Sequence, residues 1–169
     1  MPTVLACEVP LNSFLRQYKD GPGYADCYVT QVPGVTTQKA FIEAFYTSRL
    51  FKIERTLPHY LASKPATDAD AKALAGGGAT RFSAWRVEAQ SATELLLADF
   101  TGRTRSWLMA VPGPVGKDLP GTLLYFGSAV VPLAGHGAQS MGWVFHALLG
   151  FHRLYSRLLL RAAGHRISD

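Results

Sequence analysis

The stretch SMGWVFHALLGFHRLYSRLLLRAAGH, residues 140–165, constrains this chain more than any other part of it. It has the length of a membrane span but carries Arg153, Arg157 and Arg161. Placed on a helix at about 100° per residue, His146, Arg153 and Arg157 fall in one narrow polar stripe, with Gly150 and Arg161 beside it. Val144, Ala147, Leu148, Phe151, Leu154, Tyr155, Leu158 and Leu159 fill a broad arc opposite, extended by Phe145, Leu149 and Leu160. Arginines near the middle of a span cost about 2.5–3.5 kcal/mol each. The uncharged run from Met141 to Phe151 is too short to cross a bilayer unaided. A surface helix needs only a narrower apolar stripe. The pattern therefore predicts a long helix buried over most of its circumference, laid across a curved sheet, with one arginine edge in water.

Such a helix needs an apolar counterpart, and the composition provides it. The 169 residues are 48% hydrophobic and 17% charged, oilier than an average domain. That surplus implies an unusually apolar core, a ligand cavity or a partner surface. The length fits a single domain spanning residues 1–169, with an irregular segment over 1–23 and the core over 24–165. Cys7 and Cys27 show no metal-ligand spacing, and Met1-Pro2 opens no signal peptide. The expectation is a cytoplasmic protein with two reduced thiols. The net charge of +5 is concentrated late, since Leu119 to Ser168 contains no Asp or Glu but holds Arg153, Arg157, Arg161 and Arg166. A basic end can attract anionic lipid or an acidic partner. Arginines also complement a helix C-terminus and keep an oily element soluble. Without a recognised motif they do not point to nucleic acid.

Along the chain, TVLACEV reads as a short strand and LNSFLRQY as a helical turn or two, with KDGPGYAD a loop. DCYVTQV, residues 26–32, reads as a strand stopped by Pro33-Gly34. A helix follows, capped by Thr36 or Thr37, with Phe41 and Phe45 beside Ala40 and Ala44 on an i, i+4 stripe. It breaks near Thr47-Ser48, and a second helical piece runs through Leu50, Phe51 and Leu57 to Pro58. TDADAKALAG predicts a short helix capped by Thr67 and ended by Gly76-Gly77-Gly78, which lacks the spacing of a phosphate loop. From residue 80 the period becomes two, giving four strands in TRFSAWRVEAQ, ATELLLADF, RTRSWLMAV and GTLLYFGSAVV, with PGPVGKDLPG as a loop. Short connections make the first three an antiparallel meander. On the third, Trp107, Met109 and Val111 alternate with Ser106, Leu108 and Ala110, so both faces are apolar.

The order of DCYVTQV, the helix pair TTQKAFIEAFYTSRLFKIERTL, the strands within 80–132 and SMGWVFHALLGFHRLYSRLLL resembles the START-like or SRPBCC superfamily over about residues 25–165. The resemblance implies an α+β helix-grip fold, a curved antiparallel sheet wrapped around a long C-terminal helix. A two-layer α/β sandwich is the alternative. The superfamily places six strands after the helix pair, against four here, and the segment 1–10 is a candidate extra edge strand. It also implies a cavity between sheet and helix for a lipid, polyketide or aromatic molecule. No cofactor is implied by any motif.

The candidate cavity lining is His152, Tyr155, Phe151 and Leu148 on the helix, with Trp107 and Arg105 on the third strand. His152 falls toward the apolar arc, where a polar group requires a partner or a ligand. His136, His146 and His152 do not converge as a zinc site requires. AQSMG is no nucleophile elbow, because the only acid after Ser140 is Asp169, and Ser140 or a neighbour reads better as an N-cap. Asp99 is expected to pair across the hairpin with Arg103 or Arg105, and Glu88 and Glu94 to approach across the preceding turn, with no sign of acid–base chemistry. The reading that follows is a domain binding a small apolar ligand. One alternative is an interaction protein docking through its basic helix edge on a membrane surface or acidic partner. Another is a cyclase- or hydrolase-like enzyme using His152.

Overall fold

The computed structural model describes residues 3–48, 67–83, 85–115, 119–132 and 143–168. Its strands are β1 (Leu5–Ala6), β2 (Tyr24–Pro33), β3 (Arg81–Phe82), β4 (Trp85–Gln90), β5 (Glu94–Asp99), β6 (Thr104–Val115) and β7 (Leu119–Val130). The helices are α1 (Arg16–Lys19), α2 (Gln38–Tyr46), α3 (Asp68–Ala75) and α4 (Trp143–Ser168). The strands form one open antiparallel sheet in the order β1-β2-β7-β6-β5-β4-β3. The fold is therefore α+β, a seven-stranded antiparallel sheet with a C-terminal helix. β3 to β7 run as a meander that brings β7 back beside β2. The expected edge strand in the first ten residues is β1, which sets Leu5 opposite Val29 and Ala6 opposite Tyr28.

The helices begin where local chemistry starts them. Thr37 is the N-cap of α2, its hydroxyl accepting from the Ala40 amide at 3.2 Å. Thr67 caps α3 through a reciprocal box, accepting from the Asp70 amide while the Asp70 carboxylate accepts from the Thr67 amide at 2.7 Å. α3 ends at Ala75 with Gly76 as its C-cap, and Gly77 follows with φ 74°, a left-handed value that glycine adopts without strain. α2 ends at Tyr46, as the expected break at Thr47-Ser48 requires. The second helical piece, through Leu50, Phe51, Leu57 and Pro58, lies outside the described residues.

Two strand expectations are corrected. TRFSAWRVEAQ is not one strand but a hairpin: Arg81 pairs with Arg86 and Phe82 with Trp85, and Ser83 takes φ 53° in the reversal. Five strands, not four, thus follow α3. PGPVGKDLPG is not one loop either, because β6 and β7 continue pairing out to Val115 and Leu119. Its prolines are tolerated because they lie past the ends of the neighbouring strands. The Ala110 amide points toward the β5 side, donating to the Thr93 carbonyl at 3.0 Å. Pro112 and Pro114, two and four residues on, present their missing N–H groups on that same outer edge, where β5 has already ended.

Each face of the sheet carries its own core. On one, Tyr28, Val32, Leu95, Leu97, Leu108, Leu124 and Phe126 meet Phe41, Phe45 and Tyr46 of α2, Leu74 of α3, and Leu159, Leu160 and Ala163 of α4. On the other, Cys27, Leu96, Trp107, Met109 and Ala129 are covered by Val9 and Leu15 from the N-terminal segment. Within the segment expected to be irregular, residues 7–18 thus form the lid of the second core.

Candidate functional site

α4 packs on β2, β7 and α2. Its buried stripe is Ser156, Leu159, Leu160 and Ala163, at the i, i+3, i+4, i+7 spacing of one helix face. Leu154 and Leu158, expected within the apolar arc, are instead 58% and 40% exposed. The helix is rotated from the expected setting, and two arginines flanking its buried stripe have partners on β2. The Arg153 guanidinium lies 5.8 Å from the Tyr24 ring centre and that of Arg157 5.5 Å from the Tyr28 ring. Arg153 Nε also donates to the Tyr24 hydroxyl at 3.1 Å. Asp26 sits between the two tyrosines and accepts from both hydroxyls at 3.3 Å, and from Ser128 Oγ at 2.6 Å. Burial, reinforced by the Asp26 charge, pushes the Tyr24 and Tyr28 phenols above their ordinary range. Arg153, Arg157 and Arg161 are all exposed, so the expected arginine edge in water is present, with two of its cations lying over tyrosine faces.

Among the described residues, two buried side-chain polar atoms on the helix-bearing face have no hydrogen-bond partner. Ser156 Oγ, on a residue with 0% exposure, is on the stripe of α4 that faces the sheet. Gln38 is 6% exposed; its Nε2 donates to the Leu108 carbonyl at 3.1 Å, while its Oε1 has no donor. An unsatisfied buried group costs about 1–3 kcal/mol, so each marks a place where a water or ligand group would be stabilised. Tyr155 is half-buried against the same core. The side chains of Leu148, Phe151 and His152 lie outside the described residues, although their backbone belongs to α4. His136 and Ser140 lie outside the described residues altogether.

Trp107 and Arg105 are not brought together with Tyr155, because they occupy the opposite face of the sheet. Trp107 is fully buried, and its Nε1 donates to Glu94 Oε2 at 2.8 Å, the oxygen that also accepts the Phe14 amide at 2.8 Å. Arg105 Nε donates to the Tyr18 hydroxyl at 3.0 Å and pairs with Glu88 at 2.9 Å, while its guanidinium lies 4.8 Å from the Tyr18 ring centre. Tyr18 also donates to Glu88. Glu88 is the extra residue at the β4 irregularity between Val87 and Ala89. These contacts fasten the N-terminal lid to the sheet. Glu88 and Glu94 therefore serve different partners. Asp99 does not pair with an arginine side chain either: it accepts from the Arg103 and Thr104 amides and the Thr101 hydroxyl, closing the turn before β6.

Gly127 is a structural residue that sequence reasoning passed over. A Cβ there would sit 2.4 Å from Leu15 Cδ2 and 3.0 Å from Trp107 Cε3, so glycine is what lets the lid and the indole reach β7. A glycine inside an apolar strand was the available signal.

One open cleft of about 620 Å³ runs between α2, α3 and the end of α4, past Thr37, Glu43, Asp68, Lys72 and Arg166. Another of about 480 Å³ lies beside Gln38, Ile42, Gly77 and Gln90. Charges of both signs line the first, unlike the apolar walls of a typical small-molecule pocket. Among the described residues no group of His, Cys, Asp or Glu could hold a metal ion, and no helix is long and apolar enough to cross a membrane. Comparison with protein-family models, curated proteins and solved structures finds no match to this chain.

Proposed function

We propose that this chain binds a small, mainly apolar molecule with one hydrogen-bonding group, such as a lipid, polyketide or aromatic compound, between the helix-bearing face of the sheet and α4. On this reading the arrangement is a helix-grip related to the START-like superfamily. The observation that carries the proposal is Ser156: a hydroxyl with no exposure and no partner, on the sheet-facing stripe of a long C-terminal helix. Tyr155 adds a ring at its margin, and Gln38 Oε1 is a second unpaired acceptor on the same face of the sheet, under α2 beside Leu108. The test is a thermal-shift panel of lipids and aromatic compounds at low and high salt. A ligand at 100 times its Kd stabilises by about 2.7 kcal/mol, an upward shift of about 5–11 °C for a domain of this size. The shift should be indifferent to salt. A panel without any shift would count against the cavity.

A second reading is favoured by a separate observation. Leu154 and Leu158 are exposed beside Arg153, Arg157 and Arg161, a combination suited to docking on an anionic membrane surface. Co-sedimentation with vesicles containing anionic lipid, falling away as salt rises, would support it. Binding that is absent at low salt would remove it.

A further inference from the structure

Cys7 and Cys27 stand 20 residues apart in the chain, yet their Sγ atoms lie 3.2 Å apart. The register of β1 on β2 places Cys7 opposite Cys27, and the Cys7 amide donates to the Cys27 carbonyl at 3.0 Å. Directly opposed residues in an antiparallel pair have Cα atoms about 4.5–5.5 Å apart, within the span of about 4.4–6.8 Å that a disulfide bridges. Both side chains belong to the second core, Cys27 at 3% exposure and Cys7 half-buried at its margin. Both thiols are free.

We propose that Cys7 and Cys27 form a redox-responsive pair that closes to a disulfide, with Cys7 meeting the oxidant and Cys27 resolving it. The geometry divides the roles. Cys7 is the more accessible sulfur, and the hydrogen bond it shares with Cys27 favours its thiolate, holding it below the ordinary thiol range. The same bond and burial push the Cys27 thiol up, so it stays protonated until Cys7 has reacted. With a small-molecule disulfide RSSR as oxidant, the Cys7 thiolate attacks one sulfur, and the departing RS⁻ takes up the proton that Cys7 lost. Cys27 sulfur then attacks Cys7 sulfur in the mixed disulfide, the second RS⁻ leaves, and it takes the Cys27 proton. The protein dithiol is oxidised to a disulfide and RSSR is reduced to two RSH.

The closed loop would contain most of the lid of the second core. Val9, Phe14, Leu15 and Tyr18 lie between the two cysteines, so oxidation would tie that lid covalently to β2. Reduction would leave it held by packing, by the Glu94 and Glu88 contacts and by the edge pairing.

The test equilibrates the full chain in buffers of reduced and oxidised glutathione. Alkylation, intact mass and thermal unfolding then report the outcome. Oxidation should remove both alkylatable thiols together and lower the mass by two hydrogens. For a loop of this length it should raise the unfolding midpoint by about 6–12 °C. Cys7→Ser should abolish the change, and Cys27→Ser should trap glutathione on Cys7. Two thiols that stay alkylatable in oxidising buffer would overturn the proposal. So would a wild-type chain that stops at a glutathione adduct or cross-links only between molecules. The wild-type masses decide the matter even if a serine variant fails to fold.

Discussion

Replacing Ser156 by alanine should make the empty protein more stable. The hydroxyl is fully buried without a partner, so the wild type bears a desolvation cost of about 1–3 kcal/mol that Ser156→Ala removes. Alanine adds about 0.5 kcal/mol of helix propensity. The void left by one oxygen is smaller than a methyl group and costs less than about 1 kcal/mol. The balance is a gain of about 1–3 kcal/mol, or about 2–12 °C in the unfolding midpoint. With ligand bound the sign should reverse in its effect on affinity. Losing one neutral hydrogen bond worth about 0.5–1.5 kcal/mol should weaken binding about two- to tenfold. Differential scanning fluorimetry of both proteins, with and without a stabilising ligand, reads both quantities. A destabilised alanine variant would refute the reasoning, since it would mean that the hydroxyl is already paired in solution, for instance with a carbonyl one turn back along α4.

Glu94→Ala would leave the Trp107 indole N–H and the Phe14 amide without their shared acceptor. It should cost about 2–5 kcal/mol in urea unfolding, whereas Glu94→Gln, which keeps an oxygen there, should cost less than half as much. Thr67→Ala removes the capping box of α3 and should cost about 1 kcal/mol in the same assay. At Asp99, burial alone would raise the carboxyl, but bonds from Thr101, Thr104 and Arg103 outweigh it and hold the group below its ordinary range. A depressed folded value contributes stability that is complete above the unfolded value near about 4 and is lost as the pH falls through the folded one. Asp99→Asn should therefore destabilise at neutral pH. The gap from wild type should close progressively below about pH 4 in pH-dependent urea unfolding, and a gap that stays constant would contradict this assignment.

Much of the architecture was legible because local signals and tertiary demands agree. Thr37 and Thr67 cap helices where their hydroxyls precede apolar periodicity. The breaks at Thr47 and Gly76 fall where that periodicity ends. The Phe41 and Phe45 stripe is buried, although Ala40 beside it is exposed. The meander from β4 to β6 follows from period-two segments with short connections. Where turn residues sit inside strands the reading failed. Pro112, Pro114 and Pro120 belong to a ribbon because their neighbours end early, a fact about other strands that no local window contains. Ser83 turns a hairpin although serine favours no left-handed conformation.

The candidate site was legible only in halves. Alternation along β6 correctly put Arg105, Trp107 and Met109 on one face. Periodicity cannot say which face the long helix covers, and here it is the other one. The rotation of α4 was hidden as well. A hydrophobic wheel puts arginine in water, where Arg153 and Arg157 do lie, but shows nothing of the Tyr24 and Tyr28 faces on β2 that they lie over. The unpaired Ser156 hydroxyl left no trace in the sequence, where a serine among leucines reads as an ordinary small residue.

The central claim is that the layer between the sheet and α4 accommodates a small apolar molecule. Native mass spectrometry of the freshly purified protein, compared with its denatured mass, tests this most directly. The account predicts an additional small-molecule mass that vanishes on denaturation, and that is carried less readily by Ser156→Ala. A bare protein mass, together with no thermal shift across lipids and aromatic compounds, would contradict it.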